Sequence, residues 1–154
     1  MPKISENCTY LRLFISGGMS VKRILLAEDE SAAMKLFRRM LKPYSLIEAT
    51  TGEEALLLFI DYDHQVDLLI ADLTLPKLSG IHVALLLRSK LPDLPVILTS
   101  STPVSDWRSR DSADLKRLGS HLVMILQKPL KAQVLSNAVC DLIGEPQSER
   151  AKTA

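Results

Sequence analysis

Apolar residues along this chain fall into two alternating patterns, short continuous runs and longer segments with helical spacing. Each continuous run is bounded by polar or turn residues, which is typical of strands buried on both faces of a sheet. Five such runs predict strands over 22–27, 44–50, 66–72, 95–99 and 121–126. The segments between and after them predict helices over 31–42, 51–60, 80–89, 106–119 and 130–143.

Local signals mark several of the helix ends. Thr51 and Glu54 have the spacing of a capping box, in which the threonine side chain accepts from the glutamate amide and the glutamate side chain returns a bond. Pro43 closes the first helix and Gly144 stops the last one. The segment 106–119 is mostly polar, so it predicts a helix on the surface.

Strands that alternate with helices imply right-handed crossovers, which place the strands in one parallel sheet with helices on both faces. The sequence therefore predicts an α/β fold, a doubly wound five-stranded parallel sheet. The strand order that suits five such strands is 2-1-3-4-5.

Composition narrows the class of protein. The 154 residues fit one domain, and 47% hydrophobic content is that of an ordinary soluble globule. With 19 basic and 18 acidic residues, the chain is not a general polyanion binder, so we predict no nucleic-acid partner. Cys8 and Cys140 are far apart and in no ligand spacing, which indicates a reducing compartment without a thiolate metal site. No apolar run reaches the roughly 18 residues needed to span a bilayer, so we predict a cytoplasmic protein without a membrane partner.

The two ends of the chain differ from the patterned part. Residues 1–20 are separated from it by Gly17-Gly18, and we expect them to be an extension that is disordered or not translated. Met19 follows this break, so translation starting there is a hypothesis, which an intact mass including 1–18 would contradict. We predict one domain over 21–144 and a polar tail over 145–154.

Polar side chains stand at the ends of four predicted strands. Glu28 and Asp29 follow the first strand, Asp72 ends the third, Ser100 follows the fourth and Lys128 follows the fifth. Because ligands of open α/β sheets bind outside the carboxyl ends of the strands, these five residues are the candidate site. Taken on its own stretch, Asp72 could equally be a loop residue that caps the next helix.

The residue types of this candidate site suit phosphoryl chemistry. Carboxylates at close quarters raise one another's pKa unless a cation compensates, and oxygen ligands suit a hard ion such as Mg²⁺. A lysine supplies a point charge for phosphoryl oxygens, and a serine hydroxyl can donate to another of them. The set therefore predicts a phosphoryl group held on or near a carboxylate.

The motifs resemble the receiver domain of bacterial two-component response regulators. They are Glu28-Asp29, then Asp72 followed at four-residue intervals by Pro76 and Gly80, then Ser100 after its apolar strand, then Lys128-Pro129. Each motif alone is weak, but their order and placement on the strand ends make a strong joint signal over about residues 21–144. The resemblance implies the flavodoxin-like (CheY-like) fold with the strand order given above.

The resemblance also implies a role for each residue. Asp72 would accept a phosphoryl group from a sensor histidine kinase or a histidine phosphotransfer protein, so the chain would be a phosphoacceptor and not an enzyme. Mg²⁺ would be held by Glu28, Asp29, Asp72 and the backbone carbonyl of Thr74. Lys128, joined to Pro129 by a cis peptide, would neutralise charge on the transferred group. Ser100 would turn toward the phosphoryl oxygens and move the following loop, changing the binding of a downstream protein target to a monomer or a phosphorylation-dependent dimer.

Three features depart from the family pattern. Ile125 stands where members usually carry Tyr or Phe, which puts the usual aromatic readout in doubt. The segment 103–110 resembles an insertion, and its Trp107 is interpreted as a packing residue and not as a binding hot spot. Thr74 and Thr102, which flank the candidate site, are small and polar.

The role of one basic surface and the function of the chain each allow more than one interpretation. The basic set on the first helix is either a solvated face or a docking surface for the kinase's helical partner; it comprises Lys35, Arg38 and Arg39. A receiver-like adaptor that docks without phosphorylation is the alternative function. An aspartyl-phosphate phosphatase or phosphotransferase ranks last, because it would need a second Asp where Thr74 stands.

Overall fold

A computed structural model describes residues 21–146, and the statements that follow concern this range. Its strands β1 to β5 are Arg23–Ala27, Ser45–Ala49, Leu68–Asp72, Val96–Ser100 and Val123–Gln127. Its helices α1 to α5 are Ser31–Met40, Gly52–Asp61, Gly80–Lys90, Ser109–Leu118 and Ala132–Ile143. The expected N-terminal extension, the Met19 start and most of the polar tail lie outside the described residues.

All ten predicted elements are present, with ends that shift by up to three residues. The largest shift is at the start of α4, which was predicted at residue 106. A 3-10 helix, Val104–Asp106, occupies that position, and Trp107 is extended with φ −69° and ψ 148°. The helix therefore begins only at Ser109.

The strands form one sheet in the order β2-β1-β3-β4-β5, and every neighbouring pair is parallel. This confirms the predicted doubly wound α/β fold. The register pairs Ala27 with Ala71 and Asp72 with Thr99, so the strands end together at one edge of the sheet. That edge carries the candidate site.

Successive residues of the central strands enter two separate cores, one on each face of the sheet. Leu25 and Ala27 pack in the core beneath α2, α3 and α4, whereas Ile24 and Leu26 pack in the core beneath α1 and α5. Every residue of β3 and β4 is buried, which explains their unbroken apolar runs. Each fully buried Leu or Ile side chain stabilises the fold by roughly 1.5–3 kcal/mol.

Within the described range no helix combines the length and apolar character that crossing a membrane requires.

The predicted cap of α2 is half correct. The side chain of Thr51 accepts from the amide of Glu54 at 3.1 Å, as the capping box requires. The carboxylate of Glu54 instead accepts from the amide of Thr50 at 2.6 Å and from the Thr50 hydroxyl at 3.0 Å. The return bond thus reaches one residue beyond the N-cap, because Thr50 presents two donors to one carboxylate.

Gly80 lets the start of α3 lie directly on the end of β3. A Cβ atom at this position would meet the carbonyl oxygen of Asp72 and lie 2.9 Å from its carbonyl carbon. Both neighbours are backbone atoms, so neither can move aside without displacing the strand. The absence of a side chain at Gly80 therefore keeps α3 close behind Asp72.

We expect Gly80→Ala to lower the free energy of unfolding by about 1–3 kcal/mol, the usual cost of overpacking a tight contact. The methyl group would push α3 away from the carbonyl of Asp72. Urea unfolding of the variant and of Ser89→Ala, on the exposed side of the same helix, measures the effect. Equal stability of Gly80→Ala and the parent chain would contradict this account of the contact.

Candidate functional site

The sheet brings the predicted residues to one edge. Glu28 directly follows β1, Asp72 and Ser100 are the last residues of β3 and β4, and Lys128 directly follows β5. The amide of Lys128 donates to the carbonyl of Ser100 at 2.8 Å, so the loop after β5 is tied to the end of β4. The Lys128-Pro129 peptide is cis, as the resemblance implied.

The ammonium group of Lys128 links two carboxylates from different strands. Its Nζ donates to Oε2 of Glu28 and to Oδ2 of Asp72, both at 2.8 Å. The three side chains are 15%, 1% and 10% exposed, respectively. Burial by itself lowers the pKa of Lys128, but the hydrogen bonds to Asp72 and Glu28 outweigh it and raise the pKa above its ordinary value of 10.5.

The contact with Lys128 does not fully offset the cost of burying the charge of Glu28. Burial raises the pKa of Glu28 above 4.5, and the nearby charge of Asp72 raises it further. The hydrogen bonds from Lys128 and from the amide of Glu30, which lies 3.0 Å from Oε1, oppose the increase only in part. A second cation beside Glu28 would favour the ionised carboxylate.

Three carboxylates form an acid cluster, which comprises Glu28, Asp29 and Asp72. Each offers one oxygen atom, and these atoms all lie within 4.8 Å of one another. Glu28 and Asp72 are buried and Asp29 is exposed, so the cluster opens to solvent on one side. Three negative charges against one ammonium, with oxygen donors alone, fit a hard divalent ion such as Mg²⁺.

The carboxylate of Asp72 is held at both oxygens. Oδ2 accepts from Lys128, and Oδ1 accepts from the amide of Thr74 at 3.0 Å. Thr74 is therefore next to the acid cluster through its N–H group. The role of its carbonyl as a metal ligand stays a prediction.

The hydroxyl of Ser100 faces its own loop. It is 2.9 Å from the carbonyl oxygen of Thr102, to which it donates, and it accepts from the amide of Thr102 at 3.1 Å. Ser100 is only 2% exposed, so water does not compete for these bonds. The structure thus places Ser100 at the site edge with its hydroxyl engaged two residues along the chain.

Trp107 is a packing residue, as predicted. It is 8% exposed and belongs to the core beneath α2, α3 and α4, against which Ile125 also packs. Its indole N–H donates to the carbonyl oxygen of Thr102 at 3.2 Å. Sequence reasoning missed the part that Thr102 plays between Ser100 and Trp107, because no spacing signals that two donors share one carbonyl.

An apolar groove, here called the α1 groove, opens beside Lys128 and has a volume of about 350 Å³. Its lining includes Ala33, Leu36, Phe37, Pro129 and Leu130. Sequence reasoning did not find this groove, because its two walls are about 90 residues apart in the chain.

The basic set on α1 is not uniformly free. Arg38 donates to both carboxylate oxygens of Glu48 at 2.6 Å, and this contact lowers the pKa of Glu48. Lys35 and Arg39 are exposed. Of the three basic side chains, Arg38 is therefore already paired with a carboxylate on β2.

Fold and site together define a doubly wound α/β domain with a lysine-bridged acid cluster at the carboxyl edge of its sheet. A family model described as "Response regulator receiver domain" matches residues 24–140. The chain therefore belongs to the response regulator receiver family, whose members serve two-component signalling.

Individual relatives agree with this assignment. The cell cycle transcriptional regulator CtrA of Caulobacter vibrioides is 37% identical over 93 residues, which are 59% of this chain and 39% of CtrA. The polar-differentiation response regulator DivK of Brucella ovis is 34% identical over 84 residues, or 52% of this chain and 67% of DivK. A receiver domain protein from Clostridium thermocellum is 26% identical with a TM-score of 0.67, covering 80% of this chain and 94% of that one. The match to CtrA spans less than half of that protein.

We expect Lys128→Met to lower the free energy of unfolding by about 3–5 kcal/mol at neutral pH without divalent cations, since two buried carboxylates lose their cation. The deficit should shrink as pH falls, because protonated Glu28 needs no counter-charge. In the parent chain the raised pKa of Lys128 means that its ion pairs contribute fully below pH 10.5 as long as the carboxylates are ionised, and are lost as pH rises through the folded-state pKa of the lysine.

Urea unfolding, measured from acid pH up to values above 10.5, records both effects. Lys131→Met removes an exposed lysine from the same loop and is the matched control. A Lys128→Met protein as stable as the Lys131→Met protein at neutral pH would refute the role of Lys128 in holding the two carboxylates.

Proposed function

We propose that this chain accepts a phosphoryl group on Asp72 from a phosphohistidine of a sensor histidine kinase or histidine phosphotransfer protein, and that this changes the binding of a downstream protein target. The observation that carries the proposal is the ammonium of Lys128, 2.8 Å from both Asp72 and Glu28 within the acid cluster. Phosphoryl transfer asks a protein mainly for positioning and for positive charge near the moving group. Family membership makes the receiver role the natural reading of that geometry.

The transfer step needs only one bond made and one broken. An oxygen of the Asp72 carboxylate bonds to phosphorus, and the bond from phosphorus to the imidazole nitrogen breaks with its electron pair left on the imidazole. The product on this chain is an acyl phosphate. The amide of Thr74 and the ammonium of Lys128 orient the carboxylate beforehand.

Charge on the transferred group is balanced by the surrounding residues. Glu28, Asp29, Asp72 and the carbonyl of Thr74 would hold Mg²⁺, which supplies positive charge beside the phosphoryl oxygens. Lys128 can follow the charge from the carboxylate to a phosphoryl oxygen, because its ammonium already contacts Asp72. Ser100 would donate to another phosphoryl oxygen after leaving Thr102.

The α1 groove is the proposed docking surface for the phosphodonor. Its wall at Pro129 and Leu130 continues directly from Lys128, and Leu36 on α1 is 40% exposed at its side. A partner helix that buries its apolar face there would bring its histidine to Asp72. The exposed Lys35 and Arg39 suit an acidic rim on that partner.

The proposal includes the extent and setting of the domain. We assign residues 21–144 to it, since α5 ends at Ile143 and Gly144 follows with φ 83°. We place its action in the cytoplasm. Whether phosphorylation drives a monomer to a dimer is a property that light scattering of the phosphorylated chain measures directly.

We expect acetyl phosphate with Mg²⁺ to add one phosphoryl group to the chain and to leave Asp72→Asn unmodified, because the amide is no nucleophile. EDTA should suppress the reaction in the parent chain. Intact mass reads the adduct. Asp67→Asn is the matched control, since Asp67 directly precedes the same strand and accepts a bond from the Arg23 amide that an amide oxygen can also accept.

An adduct that persists on Asp72→Asn would show that another residue accepts the phosphoryl group. No adduct on the parent chain, either with acetyl phosphate or with a phosphorylated histidine phosphotransfer domain, would favour the adaptor that docks without phosphorylation.

We expect Leu36→Asp to slow phosphoryl transfer from a phosphorylated histidine phosphotransfer domain by about tenfold or more, as loss of an interface anchor does. Labelling by acetyl phosphate should stay near that of the parent chain, because this small donor needs no groove. Leu57→Asp places the same charge at a 63% exposed position on α2, across the sheet, and is the control. Equal slowing by both variants would place the partner elsewhere.

A further inference from the structure

Trp107 is a buried residue within an exposed segment. The residues from 101 to 106 and from 108 to 110 are all exposed, whereas Trp107 is 8% exposed. It stands between the 3-10 helix and Arg108, the N-cap of α4. It is also the single tryptophan of the chain.

One carbonyl connects this tryptophan to the candidate site. The carbonyl oxygen of Thr102 accepts from the Ser100 hydroxyl at 2.9 Å and from the Trp107 indole at 3.2 Å. The amide of Thr102 donates back to the Ser100 hydroxyl at 3.1 Å. Ser100 and Trp107 therefore act on the same peptide group from opposite ends of the loop.

A serine hydroxyl has one proton, so it cannot donate to Thr102 and to a phosphoryl oxygen at the same time. When Ser100 donates to a phosphoryl group on Asp72, Thr102 loses a donor at its carbonyl. The hydroxyl oxygen can still accept from the amide of Thr102, since its lone pairs remain. Of its two donors, the carbonyl of Thr102 then keeps only the indole of Trp107.

The turn over residues 103–107 can shift together with Thr102. The amide of Asp106 donates to the carbonyl of Pro103 at 2.9 Å, and the amide of Trp107 donates to the carbonyl of Val104 at 3.2 Å. Both bonds are internal to the turn, so neither anchors it to the sheet. A shift of Thr102 is thereby carried to Trp107 and to the first turn of α4.

We propose that Trp107 is a positioning residue for Ser100: its indole N–H fixes the Thr102 carbonyl that retains the Ser100 hydroxyl, and transfer of that hydroxyl to a phosphoryl group on Asp72 displaces the indole and the start of α4. The turn of Ser100 toward the phosphoryl group and the movement of the following loop belong to the proposed function, on which this inference rests. What the inference adds is the residue that holds Ser100 in the resting form. This contact does not involve Ile125.

The test records tryptophan emission and intact mass on the same samples of the full chain, treated with acetyl phosphate and Mg²⁺. Because the chain has one tryptophan, the emission reports Trp107 alone. In the parent chain the emission should change in proportion to the phosphorylated fraction. Ser101→Ala, which removes the neighbouring exposed hydroxyl, should behave in the same way. Ser100→Ala should lose most of the emission change per phosphorylated molecule.

Trp107→Phe keeps an aromatic ring but removes the N–H donor. If the indole bond holds the resting form, its loss should raise the initial rate of labelling by acetyl phosphate by about fivefold, the worth of one net hydrogen bond. A merely structural tryptophan would leave the rate unchanged or lower it. Thermal unfolding of the variant shows that the comparison is made on folded protein.

The possible failures are distinguishable. A phosphorylated parent chain with unchanged emission, or an equal change in Ser100→Ala, overturns the inference and leaves the proposed function intact. A labelling rate of folded Trp107→Phe that does not rise also overturns it. If no adduct forms on the parent chain, the proposed function fails and this inference fails with it. Should Trp107→Phe not fold, the emission of the parent chain and of Ser100→Ala still decides.

Discussion

The contact on which the site depends is the ammonium of Lys128 between Glu28 and Asp72. The two carboxylates leave neighbouring strands at the same edge and are almost fully buried, so without a cation their charges would oppose the assembly of that edge. Lys128 comes from the far side of β4, and its amide bond to the carbonyl of Ser100 keeps its loop against that strand. The ion pairs therefore join three strand ends that the sheet alone would only bring near one another.

The same burial gives the site its electrostatic character. Because β1 and β3 are covered on both faces, the residues that end them are desolvated, and burial is the main cause of the raised pKa of Glu28. One ammonium against three carboxylates leaves the acid cluster ready for a cation. A parallel sheet with two covered faces thus does more than support the site, since it makes the carboxylates depend on positive charge.

Segments next to the candidate site differ in how easily they can move when the site changes. The backbone of β3 is held tightly, with α3 lying against the carbonyl of Asp72 at Gly80. The loop after β4 is different, because its residues are exposed and its turn bonds are internal. Its ties to the site edge run through Ser100, Thr102 and Trp107. A charge added at Asp72 would therefore act on the loop more readily than on the helices.

Apolar periodicity and polar strand ends were enough to predict the elements and the gathering of Glu28, Asp72, Ser100 and Lys128 at one edge, because these features follow from short-range pattern and from the geometry of parallel strands. The sheet order came from the known order of five-stranded doubly wound sheets. The late start of α4 at Ser109 was not predictable, since packing of Trp107 into the core decides it. Local pattern also could not choose between competing polar partners. Glu54 bonds Thr50 instead of returning to Thr51, and Arg38 pairs with Glu48. Those choices depend on distances that exist only once the sheet and helices have packed, so the tertiary structure alone decided them.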